Sequence, residues 1–237
     1  MYTFGILPTK LGMSKCEQCI VRQFNSLKTL TKEELVRVSA CKTSSVIKKG
    51  DIIFREGESL NGIYCVREGV CKLTKLSDNG KEQVVKLAVK GGMMGQRSLV
   101  SGEISNLTAV AINDMQICFI PKQEIVRDLQ KNVNFSMDIL KRMAQDLKTS
   151  EDSLVNMAQK TVKQRLAQTL IYVQTTFAVD QDGYLALNLS RDDYASIVGT
   201  ATESAIRILS QFKKEGLIST KGKQIKIENL QDLIRVE

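Results

Sequence analysis

The chain contains no histidine and no tryptophan, and only two prolines. Without histidine there is no Ser-His-Asp or Cys-His nucleophile pair, no imidazole acid/base catalyst and no His-ligated zinc or iron. An enzyme built on this sequence would depend on carboxylates, lysines or thiols, so the reading favours a protein that is not an enzyme. No run of 18 apolar residues exists, so nothing in the sequence spans a bilayer and no membrane partner is expected. Residues 1–13 lack a continuous apolar stretch, being interrupted by Gly5, Pro8 and Lys10, and read as no secretory signal. Six cysteines without an export signal suggest reduced thiols in a cytoplasm rather than a disulfide framework.

What is present sorts by region. The 237 residues are 43% apolar, enough for one or two domains to bury a core, and carry a net charge of +8. Basic chains meet polyanions, nucleic acid before membrane surfaces. Nine of the fifteen glycines lie from Gly50 to Gly102, and none from Glu103 to Asp182. Between the clustered glycines run short β-branched segments: Ile52 to Phe54, Ile63 to Val66, Val70 to Thr74, Val84 to Val89, Thr108 to Ile112 and Met115 to Ile120. Asp78-Asn79-Gly80 between two of them is a hairpin signal. Strands at this spacing predict an all-β roll, barrel or sandwich.

After Asn134 the period changes. Leu140, Leu147 and Leu154 recur every seven residues, with Met143, Ser150 and Met157 as the companion row. This predicts a helix over 134–157, ~36 Å long at 1.5 Å per residue. Such a stripe either docks on the β domain of its own chain or pairs with a second copy, and its narrowness favours the homodimer. A second amphipathic helix carries Val162, Leu166, Leu170, Val173 and Phe177 on one face.

Ser190 followed three residues on by Asp193 reads as a helix start, and Gly199 as its stop. A second helix begins at once, with Thr202, Glu203, Ser204, Ile206 and Arg207 in its first turns, and a hairpin through Lys221-Gly222-Lys223 follows. Two short helices about a glycine turn, then a hairpin, describe a winged helix-turn-helix. Residues 204–226 hold six cations against one anion, which fits phosphate contact with double-stranded DNA. Glu203 is suited to a cytosine amino group, and Arg207 one turn on to guanine O6 and N7.

This order, with Gly199, Glu203 and Arg207 spaced G-x-x-x-E-x-x-x-R and Lys49-Gly50-Asp51 before Ile52-Ile53-Phe54, resembles the Crp/Fnr family of bacterial transcription regulators. The resemblance implies an α+β chain: a cyclic-nucleotide-binding-like β roll (jelly roll), a long dimerisation helix and a C-terminal winged helix-turn-helix. The expected domains are 1–25 with its Cys-x-x-Cys, 26–133 as sensor, 134–158 as dimerisation helix and 159–237 as DNA-binding domain, with the recognition helix at about 201–213. It further implies a palindromic site read by a homodimer, and RNA polymerase as the partner an activator needs. Thr202 stands where cyclic-AMP-type members have Arg, and Ile206 where Fnr members have Ser. Ala201 replaces the usual hydroxyl cap, so Thr200 or Thr202 must serve, or the helix start loses ~1 kcal/mol.

The resemblance also locates an effector pocket at Gly95, Gln96, Arg97, Asn106 and Leu107. The positions that hold phosphate and ribose in the family are here Asn106-Leu107 and Gln96, which speaks against cyclic AMP. Cys16, Cys19 and Cys118 match three of the four thiolates of an oxygen-sensing iron–sulfur Fnr, while Asn25 stands at the third position of the N-terminal trio, leaving Cys41 or a carboxylate to complete the set. No cofactor is therefore required, and the cluster is one thiolate short. Cys16 and Cys19 also leave open a thiol oxidoreductase, against which stands the lack of a βαβ pattern. A regulatory subunit whose C-terminal helices are only structural is the remaining alternative.

Overall fold

The computed structural model describes residues 15–78 and 80–236; the expected turn residue Asn79 and the segment up to residue 14 lie outside them. Three 3-10 turns, Cys16–Gln18, Ile20–Phe24 and Ser26–Thr29, lead into helix α1 (Lys32–Cys41). Thr31 opens α1 with a full capping box: its hydroxyl accepts the Glu34 N–H, and the Glu34 carboxylate accepts the Thr31 N–H. The strands are β1 (Thr43–Ile47), β2 (Ile52–Phe54), β3 (Gly62–Glu68), β4 (Cys71–Leu76), β5 (Glu82–Ala88), β6 (Met93–Met94), β7 (Thr108–Ala111) and β8 (Met115–Pro121), with α2 (Gln96–Ser101) between β6 and β7. They form two four-stranded sheets, ordered β1-β8-β3-β6 and β2-β7-β4-β5. This is the β roll that the turn-dense glycine region implied.

The near-continuous apolar run of β8 has a direct cause: both of its faces are covered. Met115 and Ile117 join Val66, Leu73 and Ala109 in a core between the sheets. Cys118 and Ile120 join Ile63 and Cys65 of β3 on the other face, under Leu35, Val38 and Phe135. Gly62 must stay glycine, because a Cβ there would run into the Ile120 carbonyl and the Phe119 ring.

Helices α3 (Lys122–Lys131) and α4 (Val133–Gln159) follow. Arg37 of α1 bonds Glu124 and Asp128 of α3, pinning the two helices together. Burial pushes the Asp128 carboxyl above its ordinary range, and the Arg37 guanidinium works against that rise. Burial opposes the charged form of Glu34 too, yet the Thr31 N–H and the Asn132 amide hold its carboxyl below the usual value.

Contacts divide the described chain into two compact units: residues 15–75 with 85–147, and 76–84 with 148–236. In the second, α5 (Val162–Phe177), α6 (Arg191–Val198), α7 (Thr202–Lys214), β9 (Ile218–Lys221), β10 (Gln224–Ile227) and α8 (Leu230–Ile234) surround one core. Leu166, Leu170, Tyr194, Leu209, Phe212 and Ile225 are nearly or fully inaccessible there. Ala178 ends α5 with φ 61° and ψ −163°, a conformation that L side chains rarely adopt.

Candidate DNA-reading surface and thiol pocket

The helix-turn-helix is built from local signals. Ser190 caps α6 by accepting the Asp193 N–H, and the Asp193 carboxylate accepts the Ser190 N–H in return. Gly199 closes α6 in the left-handed region, φ 67° and ψ 55°, and the Thr200 N–H bonds the Ala195 carbonyl. Three residues later α7 begins. Its N-cap, Ala201, makes no side-chain bond. Thr202 does not substitute for a cap: its hydroxyl donates to Asp192 at 2.9 Å, tying the two helices across the turn.

Ala205, Ile208, Leu209 and Phe212 face inward, leaving Glu203, Ile206 and Arg207 on the exposed face of α7 and Ser204 half-buried. Neither Glu203 nor Arg207 is in an ion pair among the described residues. The wing pairs Lys221 with Gln224 about Gly222-Lys223, with both lysines exposed. Arg191, at the start of α6, braces that turn by donating to the Gly222 and Lys223 carbonyls at 3.3 and 3.4 Å. Arg165 of α5 donates to Val198 O at 2.8 Å, Lys160 O at 2.6 Å and Met157 O at 3.3 Å, satisfying carbonyls at the ends of α6 and α4.

On α4, Leu140, Leu147 and Leu154 are 55%, 61% and 71% exposed, an apolar row that is costly to leave in water. Ser150 is exposed beside them and Met157 partly so. Met143, half-buried, also packs against the core of the first unit that holds Phe135 and Ile139.

The remaining candidate residues lie in the first unit. Gly95 starts α2 at φ 89°, and Arg97 faces Glu103 at 3.5 Å on the surface. Leu107 packs on the inter-sheet core, Asn106 is half-buried, and Gln96 Oε1 is buried without a hydrogen-bond partner. Arg97, facing Glu103, is the one cation of this set.

Cys16, Cys19 and Cys118 do converge, and on a residue that sequence reasoning missed. All three line one small pocket with Cys65, Arg22, Lys42 and Arg67. Cys65 sits opposite Cys118 in the β3–β8 register, a proximity that no sequence spacing reveals. Burial raises the Cys65 and Cys16 thiols, the Lys42 amine opposing the rise at each. The donor set differs from the one the resemblance implies, with Cys65 rather than residue 25 as the fourth thiol at the pocket. Asn25 is 1% exposed and spends its side-chain oxygen on the Leu27 N–H. The cavity, about 20 Å³, has room for about one water. Among the described residues no three acidic, thiol or imidazole groups are arranged to hold a metal.

Two family models match: the cyclic nucleotide-binding domain over residues 45–132 and the Crp-like helix-turn-helix domain over 164–236. The chain belongs to the Crp/Fnr family. Among its relatives, the fumarate and nitrate reduction regulatory protein of Escherichia coli (strain K12) is 27% identical over 219 residues, covering 90% of this chain and 86% of that protein. The structure of FixK2 from Bradyrhizobium japonicum is similar with a TM-score of 0.73 and 25% identity, over 83% of this chain and 97% of that one. A CRP/FNR-family transcriptional regulator from Thermus thermophilus shares the fold with a TM-score of 0.69 at 22% identity, over 81% and 96% of the two chains. As a Crp/Fnr member the chain is a transcription regulator with a DNA-binding helix-turn-helix, and not an enzyme. The oxidoreductase reading of Cys16 and Cys19 is thereby set aside. No helix among the described residues is long and apolar enough to cross a membrane.

Proposed function

We propose that this regulator acts as a cytoplasmic homodimer on a palindromic duplex site, with RNA polymerase as a partner. Residues 26–133 serve as sensor, 134–158 as dimerisation helix and 159–237 as reading domain. The observation that carries the reading is the exposed pair Glu203 and Arg207 on α7, flanked by the lysines of the wing. Glu203 accepts from a cytosine amino group and Arg207 grips guanine in each half-site. Thr202, held by Asp192, and Ser204 set the entry of the helix, while the exposed Ile206 meets apolar base edges such as a thymine methyl. Lys221 and Lys223 neutralise phosphate. Leu140, Leu147 and Leu154 bury their row against the same row of a second copy.

The reading needs no resident cofactor. The non-cysteine at position 25, and Asn106-Leu107 and Gln96 where the family holds phosphate and ribose, support a β roll that answers a signal other than cyclic AMP or an iron–sulfur cluster.

The test is a salt-dependent titration on a selected duplex. Arg207→Ala should cost about 1–3 kcal/mol and relax base choice at one position, whereas Lys223→Ala should weaken all sequences alike and lower the salt slope by about 1. Equal loss from both would overturn the assigned roles. Leu147→Asp should leave the reading domain folded and convert the sedimenting species to a monomer.

A further inference from the structure

The thiol pocket has a feature of its own: thiols facing one another across a strand pair. Cys65 of β3 and Cys118 of β8 are direct antiparallel partners on the face that packs under α1. Opposed residues hold their Cβ atoms about 4.5–5.5 Å apart, within about 1 Å of the separation that a disulfide spans. Cys118 is also the better furnished of the two. Its sulfur lies 3.4 Å from the Ser44 hydroxyl and 4.0 Å from the Lys42 Nζ, so donors are at hand for negative charge on that atom. Arg67 adds a buried Nε–H with no hydrogen-bond partner at the same pocket. Half-buried Cys19 lines the pocket too, beside space for a water-sized molecule.

We propose that Cys65 and Cys118 form a cross-strand dithiol that hydrogen peroxide oxidises to a disulfide. The sulfur of Cys118 attacks the O–O bond, which breaks. One oxygen stays on sulfur as a sulfenic acid, and the other leaves as water with the thiol proton. The Cys65 sulfur then attacks the sulfenic sulfur, the S–S bond forms and the S–O bond breaks, releasing a second water. Two electrons pass from the two sulfurs to the peroxide, and the two thiol protons end in the two waters. Lys42 and Ser44 are positioning residues that place donors beside the reacting sulfur. The step is stoichiometric, a modification rather than a turnover, and it stands independently of how the chain reads DNA.

The experiment is peptide mapping of the full chain after brief hydrogen peroxide treatment and alkylation, without reductant. The expected result is a cross-linked pair carrying Cys65 and Cys118, with the six thiols reduced by two and full recovery on adding dithiothreitol. The bond should persist in Cys16→Ser and Cys19→Ser. Cys65→Ser should instead accumulate a sulfenic acid on Cys118 that dimedone traps, a readout that a merely packed core thiol would not produce. If Cys65 and Cys118 both remain free to alkylate after unfolding, or the bond formed joins Cys16 to Cys19, the proposal is overturned. Near-ultraviolet circular dichroism of each variant before treatment reports folding, and the wild-type map decides the matter without any substitution.

Discussion

The reading module and the thiol pocket handle charge in opposite ways. From Arg191 to Ile227 the wing lysines and Arg207 are displayed to solvent, without an ion pair among the described residues, on a scaffold whose caps and turns are set by immediate neighbours. In the first unit some charge is drawn inward. Asp128, 1% exposed, is met by Arg37, and Lys42, 5% exposed, lies among thiols. A surface meant for polyanions gains from unpaired cations, because their full field is available to a ligand. A buried charge has no such freedom, since each one left without a partner costs several kcal/mol. The first arrangement is contiguous in sequence, the second is gathered from residues 16 to 128.

That contrast can be broken first at Phe212, which is fully inaccessible. Phe212→Ala should cost the second unit about 3–5 kcal/mol in denaturant titrations and leave the unfolding of the first nearly unchanged. A single shared transition shifted as a whole would show the two to be energetically one. Arg37→Met is the matching cut in the first unit. It strands Asp128 and should cost about 3 kcal/mol at neutral pH.

The pH dependence sharpens this second test. A carboxyl raised by burial binds its proton in the native state before it does in the unfolded one, so its effect on stability worsens as pH climbs from about 4 toward neutrality. The Arg37→Met loss should therefore shrink in acid. Glu34 has the opposite sign. Its lowered carboxyl contributes stability above the ordinary carboxylate value and loses it as pH falls through the folded one. Ser190→Ala is the smallest cut, about 1 kcal/mol from the second unit through the α6 cap, read by a modest fall in melting temperature.

These differences also explain what the sequence discloses. The α6 box at Ser190 and Asp193, the Gly199 stop and the wing turn are local rules that operate within a few residues, and they are legible at sight. The strands from Ile52 to Ile120 follow from their β-branched runs. Helix α1 carried a readable start in Thr31 and Glu34, whereas β1, Thr-Ser-Ser-Val-Ile, is too polar to stand out and is recruited by pairing with β8. That Met143 also packs against the first unit's core was not legible, because a seven-residue repeat does not say which side of a helix meets its own chain. Cys65 was invisible as a pocket residue, since only strand register brings it opposite Cys118.

Arg165 gives a last consequence. Its single guanidinium is shared by the closing carbonyls of α4 and α6, so the turn around Gly199 hangs from the same hook as the end of the long helix. Rotation of that end must either carry the hinge with it or break charge-assisted bonds, which makes the arginine a mechanical linkage rather than another surface cation. Replacing it with methionine, which keeps the stem and discards the hook, should let the hinge exchange its amide hydrogens faster while the aromatic core beneath stays closed.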